Sequence, residues 1–284
     1  MYIIKEYSSV HNMIETIETT KKGSEWTKLQ KNEPDDSVTY AWAYHGGVKS
    51  LDDTLTEART LQGLEQACHD ISAIAEQISH TIPAPASIKR TMTYAHHGAT
   101  LNVHRVLRGQ AKPWRRSTQA VKTTLGKILP IILPTAVSAS IDHEQIYWST
   151  AATLGLALSA EHAGYRTELI ALTACASAWG DTGYSHSVCL KAAHEPWNTQ
   201  AVAIAMQPTW LRRCMFRLTE MVSSEIGEDT LTYGRPIQGE SLQELIKQCL
   251  PSYTSAITGP TQSSNINTLG SAIQWVKETQ ERLK

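Results

Sequence analysis

The sequence predicts an α/β protein built on a mostly parallel sheet, and three observations carry that expectation. The run KILPIILPTAV, from Lys127 to Val137, is almost continuously apolar, the pattern of a strand covered on both faces. RTELIALTA, from Arg166 to Ala174, has the same character. Between them a helical stretch carries Ile146, Leu154, Leu156, Ala157 and Ala160 and stops at Gly164, as a helix closed by glycine should. Strand, helix and strand in that order form a βαβ unit, whose crossover rules give a parallel pair.

The remaining elements follow along the chain. Ser8 or Ser9, ahead of Val10, Met13, Ile14 and Ile17, opens a short amphipathic helix that ends near Gly23. The polar stretch from Lys28 to Ser37 reads as a loop, and Val38 to Tyr44 alternates as a strand does before the Gly46-Gly47 turn. Ser50 with Asp53 is a capping-box variant that starts a helix through Leu51, Leu55 and Ala58, and a further helix is expected from Leu61 to about Ser79. Pro83 and Pro85 close this helical part. SIKRTMTYAHHG and TLNVHRVLRG then read as a β-ribbon bounded by Gly98 and Gly109, followed by a loop, AKPWRRS. Asp142 is placed to cap the helix after the first buried strand. Beyond the second, Ser185 to Leu190 is strand-like, and Asn198 caps a helix interrupted by Pro208. An apolar stripe follows, through Trp210, Leu211, Cys214, Met215, Leu218 and Val222. Ser241 and Glu244 read as another capping box, and a helix with Ile273, Val276 and Leu283 ends the chain. The organisation expected is an α+β extension over residues 1–124 and an α/β core over residues 125–284.

A chain of 284 residues with 41% hydrophobic content can fill a core, and its longest apolar runs are broken by prolines well short of the ~20 residues that span a bilayer. No membrane association is expected. MYIIKEYSS lacks the apolar centre of a signal peptide, so a cytoplasmic location is expected. Cys68, Cys175, Cys189, Cys214 and Cys249 lie far apart and form no CxxC pair, which favours buried free thiols.

Charge is strongly segregated. From Gln77 to Ile141 there are 65 residues without Asp or Glu, carrying nine Lys and Arg, four His, Tyr94 and Trp114. Residues 1–76 hold seven basic against thirteen acidic side chains, and residues 142–284 hold ten against fourteen. The basic stretch within residues 77–124 is the footprint of a surface that meets phosphates: Lys and Arg displace condensed counterions while rings stack on unpaired bases. The competing reading is a solvated loop that is basic by accident.

No GxGxxG, GxxxxGK[ST], HExxH or GxSxG string occurs, so no cofactor and no enzymatic activity is expected. His96 and His97 are adjacent and on a strand would point to opposite faces; His186, Cys189 and His194 would likewise be scattered, and no bound metal is expected. Arg213 and Arg217 share a helix face and read as solvent-facing or paired with Glu220. Asp142, His143, Glu144 and Asp181 could assemble acid-base groups, but acids at a helix start are what capping alone produces.

The order PIILPTAVSAS, WSTAATLGLALSAEHAGYRTELIAL and AIQWVKETQERL resembles a von Willebrand factor A type (vWA) domain, which implies a doubly wound, mostly parallel sheet with a DxSxS metal-adhesion loop after its first strand. The matching positions here are Ala136, Ser138 and Ser140, so the metal-binding aspartate is replaced by alanine and the site is degenerate; two hydroxyls alone hold a hard cation poorly. Asp181, in WGDTG, offers a carboxylate from another strand end. The segments AWAYHGGVKSLDDTL and VLRGQAKPW are also similar to an uncharacterised group of phage-encoded proteins of this fold, which implies a setting in the cytoplasm of an infected host cell. In that group the segment around the Trp is often acidic, whereas here it is basic.

The function expected from these readings is that of a phage-encoded accessory factor for transcription or replication that binds nucleic acid, single-stranded DNA in preference, and recruits a phage RNA polymerase. Lys89, Arg90, Arg105, Arg108, Lys112, Arg115 and Arg116 would hold phosphates, and Tyr94 and Trp114 would stack on bases. No helix-turn-helix, basic zipper or zinc finger is present to enter a major groove. The alternative is a vWA-like scaffold for protein partners such as a phage polymerase or an ATPase, with no nucleic-acid binding.

Overall fold

In the computed structural model of the chain, the described residues are 2–21, 51–78, 82, 90–98, 100–119, 127–137, 141–176, 183–207, 210–215, 218, 235–237, 239–261 and 264–281. The chain divides into two compact units, one formed by Met1–Pro83 with Ile128–Lys284 and the other by Ala84–Lys127.

The larger unit is an α/β sheet protein. Its strands are β1 (Tyr2–Tyr7), β5 (Ile128–Pro134), β6 (Arg166–Ala176), β7 (Gly183–Lys191), β8 (Arg235–Pro236) and β9 (Ile257–Thr258); β2 to β4 belong to the smaller unit. The order along the sheet is β1-β7-β6-β5-β9, with β8 pairing the far end of β6. β5 is parallel to β6 and to β9, and β1 is parallel to β7, while β7 and β8 run antiparallel to β6. The sheet is therefore mostly parallel. β5 is an interior strand that nevertheless contains Pro130 and Pro134. It tolerates them because β9 pairs only with Ile131 and Ile132, which leaves both prolines outside the paired stretch on that edge.

Helices cover both faces. On one, Leu129, Ile131 and Leu133 of β5, Leu169 and Ala171 of β6, and Val188 and Leu190 of β7 join a core with α1 (Val10–Lys21), α2 (Leu51–Thr60), α3 (Glu65–Ile78), α5 (His143–His162) and α8 (Leu269–Glu281). On the other, Ile132, Leu172 and Ala174 meet Leu242, Leu245 and Ile246 of α7 (Gly239–Cys249). The odd and even residues of one strand feed two cores, which is why its sequence is apolar without alternation.

α5 explains why the N-terminal part is not an extension. Every residue from Thr150 to Ala160 is buried, so this helix is apolar around its whole circumference and needs cover beyond the sheet. α3 supplies it with Ala67, Ile71, Ile74, Ala75 and Ile78. In addition, YIIKEY, which the sequence reading assigns to no element, forms β1 and takes the edge beside β7. Residues 1–83 thus belong to the same compact unit as residues 128–284, and residues 84–127 form the other.

The helix caps follow the sequence in part. Ser9 accepts from the N–H of Asn12, and the Asn198 side chain accepts from Ala201 to open α6 (Thr199–Ala203). Ser241, expected at a cap, lies inside α7, which starts at Gly239. Tyr165 and Gly164 close α5 with Gly164 in the left-handed region at φ +94°. The end of α5 is tied to the sheet by Glu161, which accepts from the Thr167 backbone and hydroxyl and lies 2.9 Å from the buried Lys191 ammonium.

Gly155 marks the closest approach of α3 and α5. A Cβ built there falls against Cγ2 of Ile74 and 2.8 Å from its Cβ, atoms too near the backbone to swing aside. Gly155→Val is expected to cost about 1–3 kcal/mol by overpacking, read as a lowered thermal midpoint. Gly270→Ala, exposed in the first turn of α8, is expected to leave that midpoint unchanged or raise it by a fraction of this amount.

Candidate nucleic-acid interface

The smaller unit is an antiparallel ribbon in the order β2 (Arg90–Ala95), β4 (Trp114–Gln119), β3 (Thr100–Leu101), with one short helix, α4 (Val103–Leu107), between β3 and β4. Two expectations are corrected here. TLNVHRVLRG keeps only Thr100–Leu101 as strand and turns to helix over Val103–Leu107, and the WRRS of the expected loop is the start of the central strand. A five-residue helix cannot stand on propensity alone, so its ends decide it. The Asn102 side chain accepts from Arg105 N–H at 3.3 Å, and the far end closes with Gly109 N–H to Val106 and Gln110 N–H to Arg105, Gly109 sitting at φ +66°.

Register then sorts the side chains. Tyr94 and Thr100 both pair with Arg115, while Ala95 and Leu101 pair with Trp114, so Arg115 and Trp114 occupy opposite faces of the ribbon. On the first face the Arg105 guanidinium lies over the Tyr94 ring, 4.0 Å from its centroid. Its Nε donates to the Lys112 carbonyl at 3.1 Å, which holds the plane in place. Asn102 donates to the Tyr94 hydroxyl at 3.2 Å with the amide that its capping oxygen leaves free. The Tyr94 phenol is lowered from its ordinary pKa first by the hydrogen bond from Arg115, then by that from Asn102, and further by the charges of Arg115 and Arg105. Tyr94, Arg105 and Arg115 are thus one constellation, a ring covered by one guanidinium with a second at its hydroxyl.

Of the other expected phosphate ligands, Arg108 is the exposed C-cap of α4, and Lys112 is exposed beside the carbonyl that holds Arg105. Arg90 and Arg116 are placed by backbone register only, opposite Gln119 and Thr93. Lys89 lies outside the described residues. Trp114 is half-buried on the opposite face and does not join Tyr94 in one stacking surface. Sequence reading missed Asn102, although an Asn ahead of Val103, Val106 and Leu107, with Gly109 behind, is a capped-helix signature.

Gly98 lets the β2–β3 turn touch β4. A Cβ there falls against the Arg115 carbonyl oxygen and 3.2 Å from the Trp114 Cβ. Gly98→Val is expected to pull the turn off β4 and misplace Arg115, seen as loss of the Thr100–Arg115 amide protection in hydrogen exchange while the larger unit keeps its protection.

The positions read as a degenerate metal loop follow β5 in the sequence of the larger unit. Thr135 shares a 2.6 Å hydroxyl contact with Thr173, Ala136 is buried, and Ser138, Ser140 and Asp181 lie outside the described residues. Thr135, Ala136 and Val137, with Ile141, Gln145 and Pro260, line an open crevice there. No cluster of three or more His, Cys, Asp or Glu suited to a metal exists among the described residues. His186 is fully buried, Cys189 faces the other side of the sheet and His194 is exposed, so these three are scattered. His96 and His97 are both exposed. All five cysteines are free. No described helix is long and apolar enough to cross a membrane.

A family model described as a domain of unknown function, DUF7192, matches residues 2–272. The chain belongs to the DUF7192 family. The matched span of this DUF7192 chain includes the ribbon as well as the α/β unit, so the ribbon lies within the family's domain. No curated protein and no solved structure matches the chain significantly.

Proposed function

We propose that this DUF7192 protein binds single-stranded nucleic acid, DNA in preference, through the ribbon face that carries Tyr94, Arg105 and Arg115. The observation that carries the reading is the guanidinium held over an accessible ring, 4.0 Å from its centroid, in a unit that contains no Asp or Glu. A guanidinium stacked on one side presents its other face to a base, and the flanking Arg108, Lys112 and Arg115 meet phosphates; both contacts tolerate any sequence. Among the described residues of the unit no helix has the length of a recognition helix, which disfavours readout of duplex grooves. We read the larger unit as a degenerate vWA-like domain, supported by helices on both sheet faces and by the crevice at the end of β5. The resemblance to phage-encoded proteins supports a role in phage transcription or replication, in which the α/β unit recruits a phage polymerase.

The test is fluorescence anisotropy with labelled single-stranded and duplex oligonucleotides at low salt. Binding of the single strand in preference to the duplex is expected; absence of single-strand binding at low salt contradicts the proposal. A second reading, a protein scaffold without nucleic-acid binding, is favoured by one observation, the exposed aliphatic side chains of α4. Partners recovered by pull-down that persist after nuclease treatment, together with no anisotropy change, would favour it.

A further inference from the structure

Helix α4 has an apolar side that the described residues leave exposed. Val103, Val106 and Leu107 stand at i, i+3 and i+4 and are 59%, 45% and 78% exposed, and Leu101 just ahead of them is 40% exposed. Four exposed aliphatic residues within seven positions are more than a phosphate-binding surface requires. The charged residues of this unit are all cations, among them Arg105 and Arg108 beside α4's aliphatic residues, then Lys112 and Arg115.

That surround selects the occupant. A second copy docked by the same face would bring two acid-free segments together, and like charges would oppose it. An anionic bilayer matches the charge, but one short helix with three aliphatic side chains gives little apolar area to hold a membrane. A nucleic acid matches both features, since it pairs a polyanionic backbone with the apolar faces of its bases, and aliphatic side chains do enter base stacks as wedges.

We infer that the ribbon unit recognises the junction between a single strand and a duplex, with the single strand on the Tyr94–Arg105–Arg115 face and the aliphatic side of α4 against the exposed terminal base pair. This rests on the proposed single-strand binding and adds to it a reason for the aliphatic residues. The terminal pair is the one place in a nucleic acid where a base-pair face is open to an apolar group at the foot of a single strand. Seating α4 there replaces water on both surfaces, and an aliphatic side chain wedged beneath the pair unstacks it, at a cost lowest at a fraying end.

The experiment compares the full chain with the V103S/L107S double variant, whose changes lie at exposed positions and leave the caps Asn102 and Gly109 in place. Three labelled probes are used at one salt concentration: a single strand, a blunt duplex, and a duplex with a 3′ or 5′ single-stranded tail and 2-aminopurine in its terminal pair. The unmodified chain is expected to bind the tailed duplex about tenfold more tightly than the single strand and to raise the 2-aminopurine emission as the pair unstacks. In the variant, both the preference and the emission change are expected to disappear while single-strand affinity stays within about twofold. Equal affinity for single strand and tailed duplex, with no emission change in the unmodified chain, overturns the junction inference and leaves single-strand binding standing. Failure to bind any of the probes at low salt overturns both. Binding of phosphatidylglycerol vesicles that V103S/L107S abolishes, without junction preference, assigns the aliphatic side to lipid and likewise overturns the inference.

Discussion

Changing Arg105 and Arg115 together to Glu is expected to reduce single-strand affinity by more than about a hundredfold at low salt, the largest functional effect the structure implies. Two phosphate contacts are replaced by repulsion, and the planar group that lies over Tyr94 is lost. Asn102 and Gly109 continue to hold α4, so the ribbon should keep its fold; unchanged circular dichroism and thermal midpoint separate loss of binding from loss of structure. Lys277→Glu, exposed on α8 in the other unit, changes net charge in the same direction and is expected to alter affinity by only about twofold, through long-range electrostatics. Equal effects from both variants would mean that net charge, and not the Tyr94 constellation, governs binding.

The second large effect concerns stability in acid. His186 is fully buried on β7, opposite Thr173 of β6 and Lys5 of β1, and neither of its ring nitrogens has a hydrogen-bond partner. Burial pushes its pKa down to about 3. Because the folded value is below the ordinary one of about 6.5, the unfolded chain takes up a proton that the folded chain refuses as the pH falls from about 6.5 towards 3. Stability is therefore lost across that window, by an amount on the order of a few kcal/mol, and is unaffected above it. Glu161 behaves differently. Desolvation alone would raise its carboxyl, but hydrogen bonds from Thr167 and Lys191 hold it below the usual carboxylate range, so its contribution is lost only at lower pH, below the ordinary carboxylate value. Urea denaturation at pH 7.5 and pH 5.5 is expected to show a lower midpoint at the acid value, and His186→Leu is expected to remove most of that difference. The same substitution should also raise stability at pH 7.5 by about 1–3 kcal/mol, since it eliminates two buried unpaired nitrogens. A pH dependence identical in both proteins would show that His186 is not the group responsible.

What the sequence made legible was the part whose physics is local or strongly patterned. β5, α5 and β6 came from nearly continuous apolar runs and a stopping glycine, and the ribbon unit, residues 84–127, lies inside the stretch without acids, residues 77–141. The Asn198 cap was equally readable. β1 was missed although Tyr2, Ile3, Ile4 and Tyr7 favour strand, because six residues without alternation carry no clear period and their partner β7 lies about 180 residues away in sequence. WRRSTQ was read partly as loop because a strand serving a cationic face has no apolar alternation to betray it. The constellation itself was half visible. Composition singled out Tyr94, Arg105 and Arg115, but that Arg105 covers the Tyr94 ring depends on a helix of five residues, and that Trp114 turns away depends on a register no sequence pattern fixes.

The most direct test of the central claim, that the cations of the ribbon gather on one face to hold a single strand, is the dependence of affinity on salt. Arg105, Arg108, Lys112 and Arg115 neutralising one phosphate each should give a plot of log K against log salt with a slope of roughly −3, since each contact on a single strand contributes about −0.7, and Arg115→Glu should flatten it by about one contact. A slope near zero, or a slope that Arg115→Glu leaves unchanged, would contradict the account.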